Sequence, residues 1–295
     1  MKRWSRRSAS WLAVISLGRY VAGWAQSPVE RPVPEIEITA TRVPLEMAAT
    51  PASVVKMDGE GLTLERSARS LPEAMASVPS VLPQRTANGQ GSPFLRGFTG
   101  FRTVLLVDGI RLNHAAMREG PNQYWATVDH LALRSVETVL GPGSVLYGSD
   151  AIGGTVQALT ADPPEAPGAP VSRLYYRAAS AERSQMARVE SGVRPDERVA
   201  FRVGLSLKDV GDVEGGRAVG RQPHTGYDEW AVDGKLALRL SEGAELTVGH
   251  QSVRQDDVWR THRTIYGITW KGLQHGTDQY LFYDQARDLT WMRLS

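Results

Sequence analysis

The sequence predicts an α+β module followed by a run of long antiparallel β-strands, and three observations predict it. Between Gly89 and Thr155, glycines punctuate short apolar runs too closely for any of those runs to be a long helix. Near Leu71 one stretch carries apolar residues at helical spacing. From about Val171 the pattern changes to sustained period-two alternation, in runs longer than the ~5 to 6 residues usual for strands of soluble proteins.

In chain order, Lys2, Arg3, Arg6 and Arg7 precede the apolar stretch Trp11 to Leu17, and Gly23-Trp-Ala25 offers small residues where a signal peptidase reads. Residues 1–25 therefore read as a secretory signal peptide. Arg19 interrupts a run already shorter than the ~20 residues that span a bilayer, which disfavours a membrane anchor. Arg6-Arg7 suggests the twin-arginine route, but the apolar residue expected soon after the pair is missing. Residues 26–50 form a linker, proline-containing at its start. Within it, Glu35-Ile-Glu-Ile-Thr-Ala-Thr-Arg42 alternates charged and β-branched residues, strand-capable with nothing adjacent to pair with. By itself this alternation fits an ordinary first strand equally well.

Residues 51–162 form the module. Ser53 to Met57 reads as a strand. Ser70-Leu-Pro-Glu73 reads as a capping box opening a helix, with Leu71, Ala74, Met75 and Val78 on one apolar face. Val104 to Val107 is an apolar run bounded by Asp108-Gly109, a hairpin-turn dipeptide, with Ile110 to Leu112 returning. Val136 to Leu140 is stopped by Gly141-Pro142, and Thr155 to Thr160 is a further strand. Gly153-Gly154 lets the backbone turn sharply or lie against another surface.

Phe94-Leu-Arg-Gly97, Val104-Leu-Leu-Val-Asp-Gly-Ile110, Arg134-Ser-Val-Glu137, Gly141-Pro-Gly-Ser-Val-Leu-Tyr-Gly148 and Ala151-Ile-Gly-Gly154 stand in one order and spacing. Taken together they resemble the plug domain of TonB-dependent outer-membrane receptors, closely over about residues 35 to 160. The resemblance implies an α+β plug domain followed by antiparallel β-strands of an incomplete transmembrane β-barrel. It makes Glu35, Ile36, Glu37, Ile38, Thr39 and Ala40 a TonB box, which adds as an edge strand to a TonB-type inner-membrane energy-transducing protein. It makes Arg96 and Glu137 ionic contacts between plug and barrel; the arginine usual before the Gly-Pro turn is replaced by Leu140. Apical plug loops touch the substrate in the family, which implicates Asn88, Gln90, Met117, Arg118, Asn122, Gln123, Tyr124 and Trp125. Packing of Tyr124 and Trp125 beneath the wall is the equal alternative.

Residues 163–295 carry the wall. In Val199 to Leu207 and Glu229 to Leu240, apolar residues face one way and Arg202, Asp233, Lys235 and Arg239 the other. The lengths match strands that cross a bilayer at a tilt. Glu229 to Leu240 and Ala244 to Val253 are expected to form a hairpin with Trp230, Leu236, Leu238, Leu246 and Val248 on one lipid-facing surface. Arg194 to Glu197, Ser241 to Gly243 and Gly272 to His275 are short turns, while Asp209 to Tyr227 is long, as in outer-membrane barrels. Trp230, Trp259, Tyr266, Trp270 and Tyr280 are candidates for aromatic girdles. About seven or eight strands against the ~22 of a closed receptor wall, and no terminal aromatic, point to a truncated chain that does not transport by itself.

Other classes fail where they can be tested. Net charge is +2 with no cysteine, so nothing indicates a nucleic-acid partner, a disulfide or a thiolate metal site. Gly143 to Ser149 has phosphate-loop glycine spacing without the lysine, no G-x-S-x-G elbow occurs, and His114, His130, His224, His250, His262 and His275 lack metal-ligand spacing. The expectation is a non-enzymatic receptor without cofactor or metal centre, bathed by outer-membrane lipid. Its ligand is a ferric siderophore or similar iron chelate, with haem, cobalamin or a glycan as alternatives.

Overall fold

The computed structural model describes residues 37–38, 45–46, 53–113, 120, 124–217, 220–259 and 282–295. Residues 1–25, His114, His262, His275, Tyr266, Trp270, Tyr280 and the expected turn at 272–275 lie outside them. Glu37–Ser295 form one compact unit.

Two short strands come first, β1 (Glu37–Ile38) and β2 (Leu45–Glu46), paired antiparallel. This corrects the expectation that the alternating segment has nothing adjacent to pair with: the chain returns within seven residues and offers its own backbone partners. The module follows with β3 (Ser53–Asp58), a π-helical turn Gly61–Glu65 and α1 (Leu71–Ala74). Next come β4 (Val81–Ala87), β5 (Gln90–Leu95), β6 (Thr103–Val107) and β7 (Ile110–Arg111), then β8 (Leu133–Leu140), α2 (Ser144–Tyr147) and β9 (Gly154–Thr160).

A five-stranded sheet in the order β3-β8-β9-β6-β7 carries the module. β6 and β9 run parallel, while the other pairs are antiparallel. The β6–β7 turn falls at Asp108 (φ 49°) and Gly109 (φ 84°), the left-handed pair that a two-residue hairpin demands. A Cβ on Gly153 would collide with Phe98 Cβ, so any larger residue would push the β5–β6 connection off the start of β9. The apolar faces meet in one core of Leu62, Leu71, Met75, Leu95, Leu105 and Trp125, each fully buried and contributing about 2 kcal/mol or more.

The predicted capping box does not form. Ser70 occupies the N-cap without a side-chain bond, and α1 lasts one turn before a 3₁₀ turn at Met75–Ser77. Glu73 instead accepts from the Arg69 backbone N–H at 2.9 Å and from its guanidinium at 2.9 and 2.8 Å. The Arg69 backbone N–H and forked guanidinium, one residue before the N-cap, take the carboxylate in place of the Ser70 N–H.

The wall is one antiparallel sheet of consecutive strands among the described residues: β10 (Val171–Ala179), β11 (Ser184–Val193), β12 (Val199–Val210), β13 (Tyr227–Ser241), β14 (Ala244–Trp259) and β15 (Phe282–Leu294). Over these residues the sheet is open at β10 and β15. The expected hairpin is present, with Leu236 opposite Val248 and Leu238 opposite Leu246, so these side chains share a face. In β12, Ala200, Arg202, Gly204, Ser206 and Lys208 are buried while Phe201, Val203 and Leu205 are exposed. The polar face turns toward the module and the apolar face away from it.

Candidate functional site: the polar seam between module and wall

Three carboxylates at the module's edge meet cations of the wall. Asp129 caps the 3₁₀ turn His130–Ala132 by accepting from the Leu131 N–H at 3.2 Å. Its other contacts come from the wall: Ser206 Oγ at 2.6 Å, Lys208 Nζ at 2.9 Å and Arg188 Nη1 at 3.5 Å. Lys208 also binds Glu229 at 2.6 Å, and Gln255 Nε2 joins Glu229 Oε2 (2.6 Å) to the Ala126 carbonyl (3.1 Å). Burial pushes the Asp129 carboxyl up, but the Lys208 and Arg188 charges outweigh it and hold the group well below the usual carboxylate range. A buried charge is tolerated there because its donors approach from both bodies.

Asp108 and Asp162 build the second junction. Lys235 Nζ reaches Asp162 at 2.8 Å, the Thr160 carbonyl at 3.0 Å and Asp108 at 3.4 Å. Asp108 meanwhile accepts from the Thr160 N–H and hydroxyl, at 2.9 and 2.6 Å. Main-chain carbonyls complete the seam. Arg202 donates to Ala161 (3.2 Å), Arg287 to Thr127 (3.2 Å) and Tyr175 to Thr63 (3.2 Å). Wall side chains thus satisfy backbone groups of module loops that would otherwise be buried unpaired.

Next to Asp129, His130 is fully buried. Burial first, and the Lys208 charge second, lower its pKa to about 3, so it is neutral. Glu73 is brought down to about 2, since Arg69 and Arg85 overcome the cost of burial.

The sequence-predicted residues are distributed differently. Glu137, fully buried, pairs with Lys56 at 3.7 Å on the neighbouring strand of its own sheet, and a Cβ on Gly141 would meet Arg96 Nη1 at 3.6 Å, beside the module's own Gly-Pro turn. An ionic seam between module and wall runs through Asp108, Asp129 and Asp162. Sequence reading missed these because an aspartate in a turn is ordinarily a capping residue. The one signal was on the wall side, where Lys208 and Lys235 stand at inward positions of alternating strands.

Of the loop residues, Met117, Arg118, Asn122 and Gln123 lie outside the described residues, as do residues 35, 36, 39 and 40 of the alternating segment. Trp125 and Gln90 are corrections: both are buried, Trp125 inside the module's core, and neither presents a surface to solvent. Trp125 lies there because the 3₁₀ turn Trp125–Thr127 packs onto β5 and α1. Tyr124 is exposed, and Asn88 is half-buried with its amide nitrogen 2.7 Å from the Thr225 carbonyl of the wall. His224 stacks at 4.1 Å on Trp259, which lies 4.9 Å from Phe282, and His250 bonds Thr290 at 2.7 Å. Among the described residues no group of acidic and imidazole side chains is arranged to hold a metal.

Known proteins resemble this arrangement. A family model described as the TonB-dependent Receptor Plug Domain matches residues 46–155. The vitamin B12 transporter BtuB of Vibrio vulnificus (strain CMCP6) is 32% identical over 139 residues, 46% of this chain and 22% of that protein. Among solved structures, a mutant of the ferric enterobactin receptor PfeA of Pseudomonas aeruginosa superposes with TM-score 0.62 at 18% identity, covering 87% of this chain and 39% of that one. The pyoverdine-bound FpvA of P. aeruginosa gives 0.59 at 17%, covering 74% and 27%. The chain thus spans well under half the length of these proteins, the first of which is described as a transporter and the second as a receptor.

Proposed function

Residues 46–155 are a TonB-dependent receptor plug domain, joined to strands with the fold of such receptors' walls, and from that premise we propose that this chain is the gated, ligand-binding part of an outer-membrane transporter. It binds a scarce metal chelate above the plug, a ferric siderophore in first place. Energy delivered from the inner membrane through Glu35–Ala40 then rearranges the plug and opens a path to the periplasm. The observation that carries this reading is the seam: a plug seated by Asp108, Asp129 and Asp162 on wall cations and by side chains on loop carbonyls. Polar contacts of this kind exchange for water at little net cost, so a plug held by them can move, which an apolar interface would resist.

A second reading, cobalamin as ligand, is favoured by the 32% identity with a vitamin B12 transporter over 139 residues. Tryptophan fluorescence of outer membranes carrying the chain, titrated separately with a ferric catecholate and with cyanocobalamin, separates the two. Quenching by the first alone supports the siderophore reading, by the second alone the cobalamin reading, and by neither removes both. The coupling segment has its own test. Proline removes the donor amide that strand addition requires, so Ile38→Pro in a complete receptor carrying this segment abolishes uptake and leaves binding intact. Undiminished uptake removes the assignment of Glu35–Ala40.

A further inference from the structure

The tip of the β4–β5 hairpin is keyed into the wall at four places. Asn88 Nδ2 donates to the Thr225 carbonyl at 2.7 Å. A Cβ on Gly89 would come within 2.9 Å of Val258 and 3.2 Å of the Tyr227 ring. Gln285 Nε2 donates to the Gly89 carbonyl at 3.3 Å, and Ala87 packs in a cluster with Val210, Tyr227 and Val258. Thr225, in turn, is the node on which the base of the long β12–β13 connection is built. The Thr225 and Gly226 amides both donate to Asp212 Oδ1, at 3.0 and 3.1 Å. Val213 N–H donates to Thr225 Oγ1 at 2.7 Å, and that hydroxyl donates to the Gln222 carbonyl at 2.9 Å.

From this juxtaposition we propose that Asn88 is a positioning residue: through Thr225 it sets the conformation of the wall connection at residues 211–213 and 222–226, so that a ligand engaging the plug's hairpin tip also moves the wall. Only the ligand's part in this rests on the receptor reading above. The chemistry calls for an amide at this position. The Asn88 nitrogen brings a donor to a carbonyl, where a carboxylate of the same shape would set acceptor against acceptor. Coupling of this kind is reciprocal, so the wall connection biases the tip as strongly as the tip biases the connection.

Hydrogen–deuterium exchange of the full chain in lipid vesicles, with no ligand added, tests the proposal. In Asn88→Asp and Asn88→Ala the amides of Val213, Thr225 and Gly226 exchange about fivefold or more faster, while those of β8 and β9 keep their rates. Gly89→Ala, which leaves Asn88 in place but wedges the tip off Tyr227, has the same effect. Unchanged exchange at those three amides in all the variants overturns the proposal. So does uniform acceleration through β8 and β9, which marks a generally loosened plug. Since no ligand is present, the outcome stands apart from which chelate binds.

Discussion

The strands of the plug and those of the wall bury their side chains in different patterns. In β6 of the plug all five residues are buried, four of them apolar, under a helix and loops that exclude water. In β12 and β13 of the wall the buried set includes Arg202, Ser206, Lys208, Glu229 and Asp233 beside Ala200, Ala231 and Ala237, and the exposed set is Phe201, Val203, Leu205, Trp230 and Val232 among others. What differs is the medium on the outer side. Apolar side chains face outward at no cost when lipid lies there, and the inward charges are stable because the plug meets them with Asp129, Asp108 and backbone carbonyls. The comparison teaches that plug and wall are each other's polar solvent.

The largest test removes one side of that exchange. Asp129→Ala strips Lys208 and Arg188 of a shared counter-charge in a buried site, and a loss of about 3 kcal/mol or more in plug stability is expected, read as protease sensitivity of the plug with the wall intact. An unaltered plug would mean that the seam does not seat it. Leu205→Arg probes the other face: in lipid vesicles it costs about 2–4 kcal/mol of folding free energy near mid-membrane, measured by denaturant titration, whereas the same change on a water-exposed strand is nearly neutral. Gly204→Ala tests how tightly the inner face is packed. A Cβ there would collide with the Arg188 guanidinium and displace it from Asp233 and Ser206, costing about 1–3 kcal/mol by the same titration.

The smallest effect is in pH. Buried His130 has its pKa lowered to about 3 from 6.5, so between those values the unfolded chain binds a proton that the folded plug refuses. Its contribution to plug stability is therefore full above about pH 6.5 and falls as pH drops toward 3. His130→Phe should flatten the pH dependence of plug protection between 6.5 and 4; an unchanged slope would place the titrating group elsewhere.

Much of the fold is legible in local sequence because its causes are local. Asp108-Gly109 supplies the left-handed pair for its turn, and Glu242-Gly243 closes a hairpin whose strands alternate cleanly enough to determine register. The site is less legible. Nothing in the local sequence singles out Asp129 before Lys208, 79 positions on, is brought beside it, and Trp125 reads as a loop aromatic until its turn docks on β5 and α1.

The sequence by itself determined the strands of the module's main sheet, the turns at Asp108-Gly109 and Glu242-Gly243 and which side of wall strands β12 and β13 is apolar, since sterics and period-two patterning act over a few residues. It did not determine the β4–β5 hairpin, part of which it reads as a loop. Only the tertiary structure decided which carboxylates bind the wall, that Glu137 stays with Lys56, that Glu73 abandons its cap for Arg69 and that Asn88 reaches Thr225. A charged side chain takes whichever partner geometry and desolvation make cheapest, and that partner is chosen across the fold, not along the chain.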